Sequence, residues 1–185
     1  IVGFEHRRDA EQFLADIRER LARFGLRLHP EKTRLIEFGK GAIAARRARG
    51  LGKPETFDFF GFTHFCDTRR DGTGFVLGRK PVRKRMRARL GTIGETLRRR
   101  MHDGVAAVGR WLGQVMRGWF AYFAVPGSMR WLAAFRPWVV QTWLAVLRRR
   151  SQKHRMTWGR IASIANRFLP RVRILHPWPE ARFAV

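Results

Sequence analysis

Carboxylates are the residues of this 185-residue chain that could hold catalytic metal ions, which requires at least two of them aimed at one point. Asp9 is interpreted as the cap of a predicted helix, and Asp16 falls on that helix. Asp67 and Asp71 flank a predicted turn, and no Asp-Asp pair occurs anywhere in the sequence. The sequence therefore predicts no catalytic residue and no metal site in this chain.

The histidines and the cysteine do not form a metal-ligand pattern either. The six histidines lack the short spacings of zinc sites; they are His6, His29, His64, His102, His154 and His176. Cys66 is the sole cysteine, which excludes a disulfide framework and a cysteine-rich zinc site. A single thiol fits a reducing, cytoplasmic compartment.

The charge of the chain is its most unusual property. Lys and Arg number 39 against 14 Asp and Glu, which gives a net charge of +25, and no acidic residue lies between Asp103 and Glu180. Such self-repulsion favours a polyanionic partner. We expect a nucleic acid, with an anionic membrane surface as the alternative. The apolar run "WVVQTWLAVL" is too short for the ~20 residues of a membrane span.

The first third of the chain is predicted to form an α+β structure. "IVGF" is typical of a strand, and Asp9 with Gln12 forms a possible capping box for a helix that ends at Gly25. "LRLH" and "TRLIEFG" alternate as two strands joined by the turn "HPEK". The pattern predicts one helix packed over a small antiparallel sheet.

The rest of the chain is predicted to change from a hairpin to helices. "KGAIAARRARGLGKPE" is interpreted as a loop, and "TFDFFGFTHF" as a strand that pairs with "FVLGRK" across a turn. Three long helical patterns follow from Pro81, with Pro137 expected to start or kink a helix. A short helix, "WGRIASIANRF", ends before Pro170. The predicted class is α+β, with domains at 1–78 and 79–185 and a mainly helical second domain.

Three blocks, in order, resemble bacterial group II intron reverse transcriptases, which are also maturases. "GLRLHPEKTRLIEFG" is similar to the late palm of these enzymes. "FDFFGFTH" is similar to the palm–thumb junction, and "LGQVMRGWFAYFAV" with "WLAVLRRRSQKHRMTW" to their maturase-specific domain. The resemblance implies that 1–78 is the end of a palm and that 79–185 is a thumb followed by the maturase-specific helices.

The resemblance also implies what this chain lacks. In the family, a Tyr-Ala-Asp-Asp turn stands just before a strand similar to "IVGFE", so the chain is expected to begin after the catalytic turn. No cofactor is then expected in this chain, because Mg²⁺ would belong to the missing palm site. The chain alone is not expected to polymerise DNA.

The resemblance assigns nucleic-acid contacts to several positions. Lys32 corresponds to a lysine near the nucleotide phosphates, although an ordinary turn lysine is an equal alternative. Gly61 lies in the primer-grip segment, where Phe60 or Phe62 would line a bound strand unless both pack in the core. The first thumb helix supplies phosphate-binding residues, namely Arg83, Lys84, Arg85, Arg87 and Arg89. Arg117 would shape an RNA-facing surface, whereas Trp119, Tyr122 and Phe123 favour the core.

A second cluster of phosphate-binding residues is expected near the end of the maturase-like block. It comprises Arg148, Arg149, Arg150, Lys153, His154 and Arg155. The leading function is an RNA-binding maturase fragment that assists folding and splicing of a group II intron RNA and grips a template–primer. The alternatives are the thumb half of a split reverse transcriptase completed by an upstream chain, and a basic remnant without a function.

Overall fold

The computed structural model describes residues 1–69, 71–150, 156–178 and 181 of the chain. The chain divides into two compact units, Ile1–Glu55 and Thr56–Val185. The helices are α1 (Arg7–Ala22), α2 (Ala42–Ala48), α3 (Arg83–Arg99), α4 (Val105–Phe123), α5 (Met129–Arg149) and α6 (Trp158–Phe168). The strands are β1 (Phe57–Phe59), β2 (Phe62–Thr68) and β3 (Phe75–Pro81). The fold is mixed α and β, as predicted.

The amino-terminal unit, Ile1–Glu55, contains α1 and α2. The long helix α1 is confirmed, but it begins after His6, so the predicted capping box is wrong. Asp9 lies in the first turn, and Gln12 Nε2 instead donates to Asp16 Oδ1 at 2.7 Å. The segment predicted as a loop contains the short helix α2.

The predicted antiparallel sheet of the amino-terminal unit is not formed. "IVGF", "LRLH" and "TRLIEFG" are neither helix nor strand in the structure. The turn between the last two is present, since the main-chain amides of Lys32 and Thr33 donate to His29 O at 3.2 and 2.9 Å. Alternation of apolar and polar residues becomes a strand only where another strand pairs with it, and the described residues of this unit supply no such ladder.

The second unit, Thr56–Val185, begins with a three-stranded antiparallel sheet in the order β1-β2-β3. The β2–β3 hairpin is confirmed, with Phe62 opposite Pro81 and Thr68 opposite Phe75. The predicted single strand "TFDFFGFTHF" is divided into β1 and β2, which pair with Phe59 opposite Phe62. The sheet therefore contains one tight turn, at Phe60 and Gly61, that the sequence pattern did not predict.

The helices α3 to α6 enclose the hydrophobic core. Their apolar stripes were predicted from the spacing of residues such as Ile93, Leu97 and Phe135, all of which are buried. Pro137 lies inside α5, which continues from Met129 to Arg149. The expectation that a helix starts at Pro137 is therefore wrong.

Helix α4 packs closely against the end of α6 because two of its three glycines lie at the contact. A β-carbon at Gly109 would lie 2.6 Å from the ring of Phe168, and one at Gly113 would lie 2.5 Å from Phe168 O. The chain after α6 then follows α4 to its carboxyl end, where the amide of Leu175 donates to Ala124 O at 2.9 Å. The terminal segment thus satisfies a carbonyl group that the helix leaves open.

The compact units divide between Glu55 and Thr56, so the sheet belongs with the helices. The domain boundary at residue 78 follows from the family resemblance and stays a prediction. None of the helices in the described part of the chain has the length and apolar character needed to cross a membrane.

Candidate nucleic-acid interface

The turn between β1 and β2 has an unusual backbone conformation. Phe60 has φ 44° and Gly61 has φ 79°, so both lie in the left-handed region that a bulky L-residue rarely adopts. Two hydrogen bonds hold the turn: the Tyr122 hydroxyl donates to Phe60 O, and the Val82 amide donates to Gly61 O at 2.9 Å. The strain at Phe60 is thus stabilised by α4 on one side and by the start of α3 on the other.

The guanidinium group of Arg85 lies against this turn. A β-carbon at Gly61 would lie 2.9 Å from Arg85 Nη1 and 3.6 Å from Tyr122 Cε1. Glycine at position 61 therefore leaves the space that the guanidinium occupies. We call Phe60, Gly61, Arg85 and Tyr122 the turn site.

The two phenylalanines considered for the turn have opposite environments. Phe60 is 73% exposed, whereas Phe62 is 9% exposed and stacks on Tyr122 with ring centroids 5.7 Å apart. Phe62 also contacts Phe123 edge to face at 5.1 Å. The assignment of Phe62 to a nucleic-acid strand is therefore wrong, because its ring is part of the core. Phe60 presents the aromatic surface of the turn.

The amino-terminal half of α3 carries a row of positive charge. Glu95 is the sole acidic residue of the helix. Arg89 is half-buried, and the exposed members of the row are Arg83, Lys84, Arg85 and Arg87. The ion pairs of the described residues include none of these five side chains. The positive charge of this row is therefore not compensated by an ion pair among the described residues.

Two structural features orient α3 so that this row faces outward. Ile93 and Leu97 are buried in the core, and the line of Met86 and Leu90 packs beside them. A β-carbon at Gly94 would lie 3.5 Å from Thr142 Cγ2, which indicates close contact with α5. Because one side of α3 is held against α5, its charged residues remain on the other sides.

Arg117 is exposed on α4, five residues before Tyr122. Its Nη1 would lie 3.4 Å from a β-carbon at Gly113, so the side chain extends along the helix over that glycine. The same helix therefore carries Arg117 and the tyrosine of the turn site. The structure does not show a direct contact between Arg117 and the turn.

The second predicted cluster is partly engaged with main-chain carbonyl groups. Arg148 Nε donates to Met156 O at 3.1 Å. Arg150 donates to Asp103 O and His102 O, both at 3.0 Å. These bonds connect the end of α5 to the segments that precede α6 and follow α3, but they leave the positive charge of each guanidinium in place. Arg149 is exposed, and Lys153, His154 and Arg155 lie outside the described residues.

Lys32 lies in the amino-terminal unit, in the turn after α1, and its side chain is exposed. The turn site and the α3 row belong to the second unit. Within the second unit, the structure brings together Gly61 and Arg85.

Sequence reasoning missed Tyr122 as a site residue and did not assign Arg98, Arg99 or Arg100 to phosphate. Tyr122 was assigned to the core, yet it is 48% exposed and bonds the turn. A signal was present, since it is the only tyrosine within an apolar helix and its hydroxyl requires a polar partner. That Arg98, Arg99 and Arg100 lie near the end of α5 follows only from the packing of α3 on α5.

Within 1–69, 71–150, 156–178 and 181, no group of three His, Cys, Asp or Glu residues could hold a metal ion. Burial lowers the pKa of His64 in β2, and the nearby charge of Arg79 lowers it further. His64 stacks on Phe57 with centroids 4.9 Å apart, as expected of a neutral ring in a sheet.

Comparisons of the chain with protein-family models, with curated proteins and with solved structures give no match.

Proposed function

We propose that this chain is an RNA-binding protein of the group II intron maturase type. In this proposal, the amino-terminal part corresponds to the end of a reverse transcriptase palm, and the helical part to a thumb followed by maturase-specific helices. The chain binds a structured intron RNA, assists its folding and splicing, and grips a template–primer. The proposal assigns no Mg²⁺ site to these residues. A cytoplasmic location is part of the proposal.

The observation that carries the proposal is the α3 row beside the turn site. Exposed cations without carboxylate partners attract phosphate groups, and the release of counterions from RNA favours such binding. Phe60 offers an exposed ring on which an unpaired base can stack. Phosphate contacts position an RNA strand and aromatic contacts suit unpaired nucleotides, so this arrangement favours RNA with loops or bulges.

The absence of paired carboxylates supports a role that leaves catalysis to the RNA. A maturase stabilises the active fold of its intron, and the RNA performs the splicing reaction. Such a role needs a binding surface on the protein and no catalytic residue.

The test is the affinity of the chain for a structured group II intron RNA and for a size-matched unrelated RNA, measured from 0.05 to 0.5 M salt. We expect a preference for the intron RNA that persists near 0.15 M salt. Equal binding to both RNAs with the same salt slope would contradict the proposal and favour a basic remnant without a function.

The α3 row is tested by Arg83→Gln, Lys84→Gln and Arg87→Gln in one variant. The matched control removes three exposed arginines from the amino-terminal unit, Arg18, Arg20 and Arg47, and so has the same net charge. We expect the α3 variant to lose intron binding at least about tenfold more than the control. Equal losses would mean that net charge, and not this surface, controls binding.

A second candidate function rests on a different observation. Large apolar residues of the amino-terminal unit are exposed, among them Ile1 at 80%, Val2 at 60% and Phe24 at 73%. Exposed apolar surface of this kind is typical of contact sites for another polypeptide. The candidate function is the thumb half of a split RNA-directed DNA polymerase. Primer extension by this chain mixed with an upstream reverse transcriptase half would support it, and no extension would contradict it.

A further inference from the structure

Two runs of three arginines, about fifty residues apart in the sequence, end two different helices. Arg98, Arg99 and Arg100 follow one another at the end of α3, and Arg148, Arg149 and Arg150 do so at the end of α5. Basic residues at a helix carboxyl end are common, because they complement the helix dipole. Each run alone would need no further explanation.

The packing of α3 on α5 brings the two runs to the same end of the bundle. Gly94 of α3 lies against Thr142 of α5, and eight residues later along each segment of the chain, just past both helices, Arg150 donates to His102 O at 3.0 Å. Contacts that advance equally along both chains mean that α3 and α5 run in the same direction. The carboxyl ends of the two helices are therefore neighbours.

Asp103 connects the two runs directly. Its carboxylate accepts from Arg100 Nε at 2.8 Å, and its main-chain oxygen accepts from Arg150 Nη1 at 3.0 Å. The carboxylate of Asp103 compensates the positive charge of one arginine, Arg100. Arg98, Arg99 and Arg149 are exposed, and the ion pairs of the described residues do not include them.

We propose that these six arginines form a second RNA-backbone site, which we call the arginine end, separate from the turn site. The proposal rests on the proposed function, since it takes the RNA as the partner. The two sites lie toward opposite ends of α3. Arg85 and Arg99 are fourteen residues apart on this helix, which corresponds to about 21 Å at 1.5 Å per residue.

The distance between the turn site and the arginine end determines which kind of RNA contacts both sites. A separation of about 21 Å is comparable to the width of a nucleic-acid duplex, so a folded RNA contacts both ends of α3 together. A single strand of three nucleotides spans only about 7 Å at 3.4 Å per phosphate, so it contacts one site at a time. Binding to two linked sites raises the affinity beyond that of either site.

The test uses a variant with Arg98→Gln, Arg99→Gln and Arg149→Gln, and it leaves Arg100, Arg148 and Arg150 in place because they bond other helices or loops. The control is again the variant with Arg18, Arg20 and Arg47 changed to Gln. Binding is measured to the intron RNA and to a 3-nucleotide single strand, from 0.05 to 0.2 M salt, with circular dichroism to compare the folding of all variants.

For the intron RNA, we expect the log–log salt slope of the arginine-end variant to be shallower than that of the control by about 2 to 3, at roughly 0.7–0.9 per lost phosphate contact. We expect the short strand to bind both variants within about twofold, because the turn site is intact. An intron slope equal to that of the control would overturn the arginine end. A wild-type chain that does not bind the intron RNA would instead overturn the proposed function itself.

Discussion

The substitution Gly61→Ala tests whether the turn site depends on the space that glycine leaves. At φ 79°, an alanine occupies the left-handed region, which costs about 1–2 kcal/mol for a residue with a β-carbon. The new carbon would lie 2.9 Å from Arg85 Nη1, so the guanidinium must move, whereas the 3.6 Å contact with Tyr122 Cε1 is ordinary packing. Arg85 moves at small energetic cost because it is the end of a long side chain.

We therefore expect Gly61→Ala to lower the free energy of unfolding by about 1–2 kcal/mol, which corresponds to about 2–8 °C in Tm for a domain of this size. Urea denaturation followed by circular dichroism measures this change. Gly159→Ala is the control, because a β-carbon there has no heavy atom within 4 Å and the residue lies in α6. The control should change stability by less than about 1 kcal/mol.

RNA binding gives the decisive result for the same pair. If glycine acts by making space for Arg85, Gly61→Ala and Arg85→Gln remove the same contact. The double variant should then bind intron RNA about as well as Arg85→Gln alone, since coupled changes are not additive. Fully additive losses in the double-variant cycle would refute the link between Gly61 and Arg85.

Three further substitutions test the remaining contacts. Tyr122→Phe removes the hydroxyl that donates to Phe60 O, and we expect a loss of about 0.5–1.5 kcal/mol in urea unfolding; an unchanged midpoint would contradict this role. Gly113→Ala places a carbon 2.5 Å from Phe168 O, which is main chain and cannot move freely, so a loss of about 1–3 kcal/mol is expected in the same assay. Because the pKa of His64 is lowered in the folded chain, the unfolded chain binds a proton more readily. The contribution of His64 to the free energy of unfolding is therefore full above about pH 6.5 and is lost as the pH drops below it. His64→Gln should make the stability less dependent on pH between 5 and 7, and an identical pH profile would exclude this histidine as the cause.

The helical half of the fold could be predicted because its signal is local. Residues such as Ile93, Leu97 and Phe135 recur at helical spacing, and the same residues are buried in the structure. The period of the apolar pattern is sufficient for helices, since each helix satisfies its own main-chain groups.

The strands could be predicted only in part, because a strand depends on a distant partner. "FVLGRK" pairs as expected, whereas "TRLIEFG" has the same alternation and no ladder among the described residues. The turn at Phe60 was missed because phenylalanine at positive φ is not a turn signal. Its conformation depends on Tyr122, sixty-two residues later, and on Val82.

The candidate site shows the same division between local and distant information. The charge of Arg85 and Arg87 is visible in the sequence, and the structure leaves both exposed. The core position of Phe62 and the meeting of Arg100 with Arg150 near Asp103 follow from packing between elements. Periodicity within one element cannot predict such neighbours.

The amino-terminal unit has consequences for cooperativity. Its buried residues are Ala10, Ala42 and Pro54, whereas the second unit encloses large side chains such as Trp143 and Phe135. Small buried side chains provide little transfer free energy against the conformational entropy of the unit's 55 residues. We therefore expect that the chain does not melt as one two-state system. We expect amide hydrogens before Thr56 to exchange with solvent at a smaller opening free energy than those of the helical core, and proteases to cleave there first.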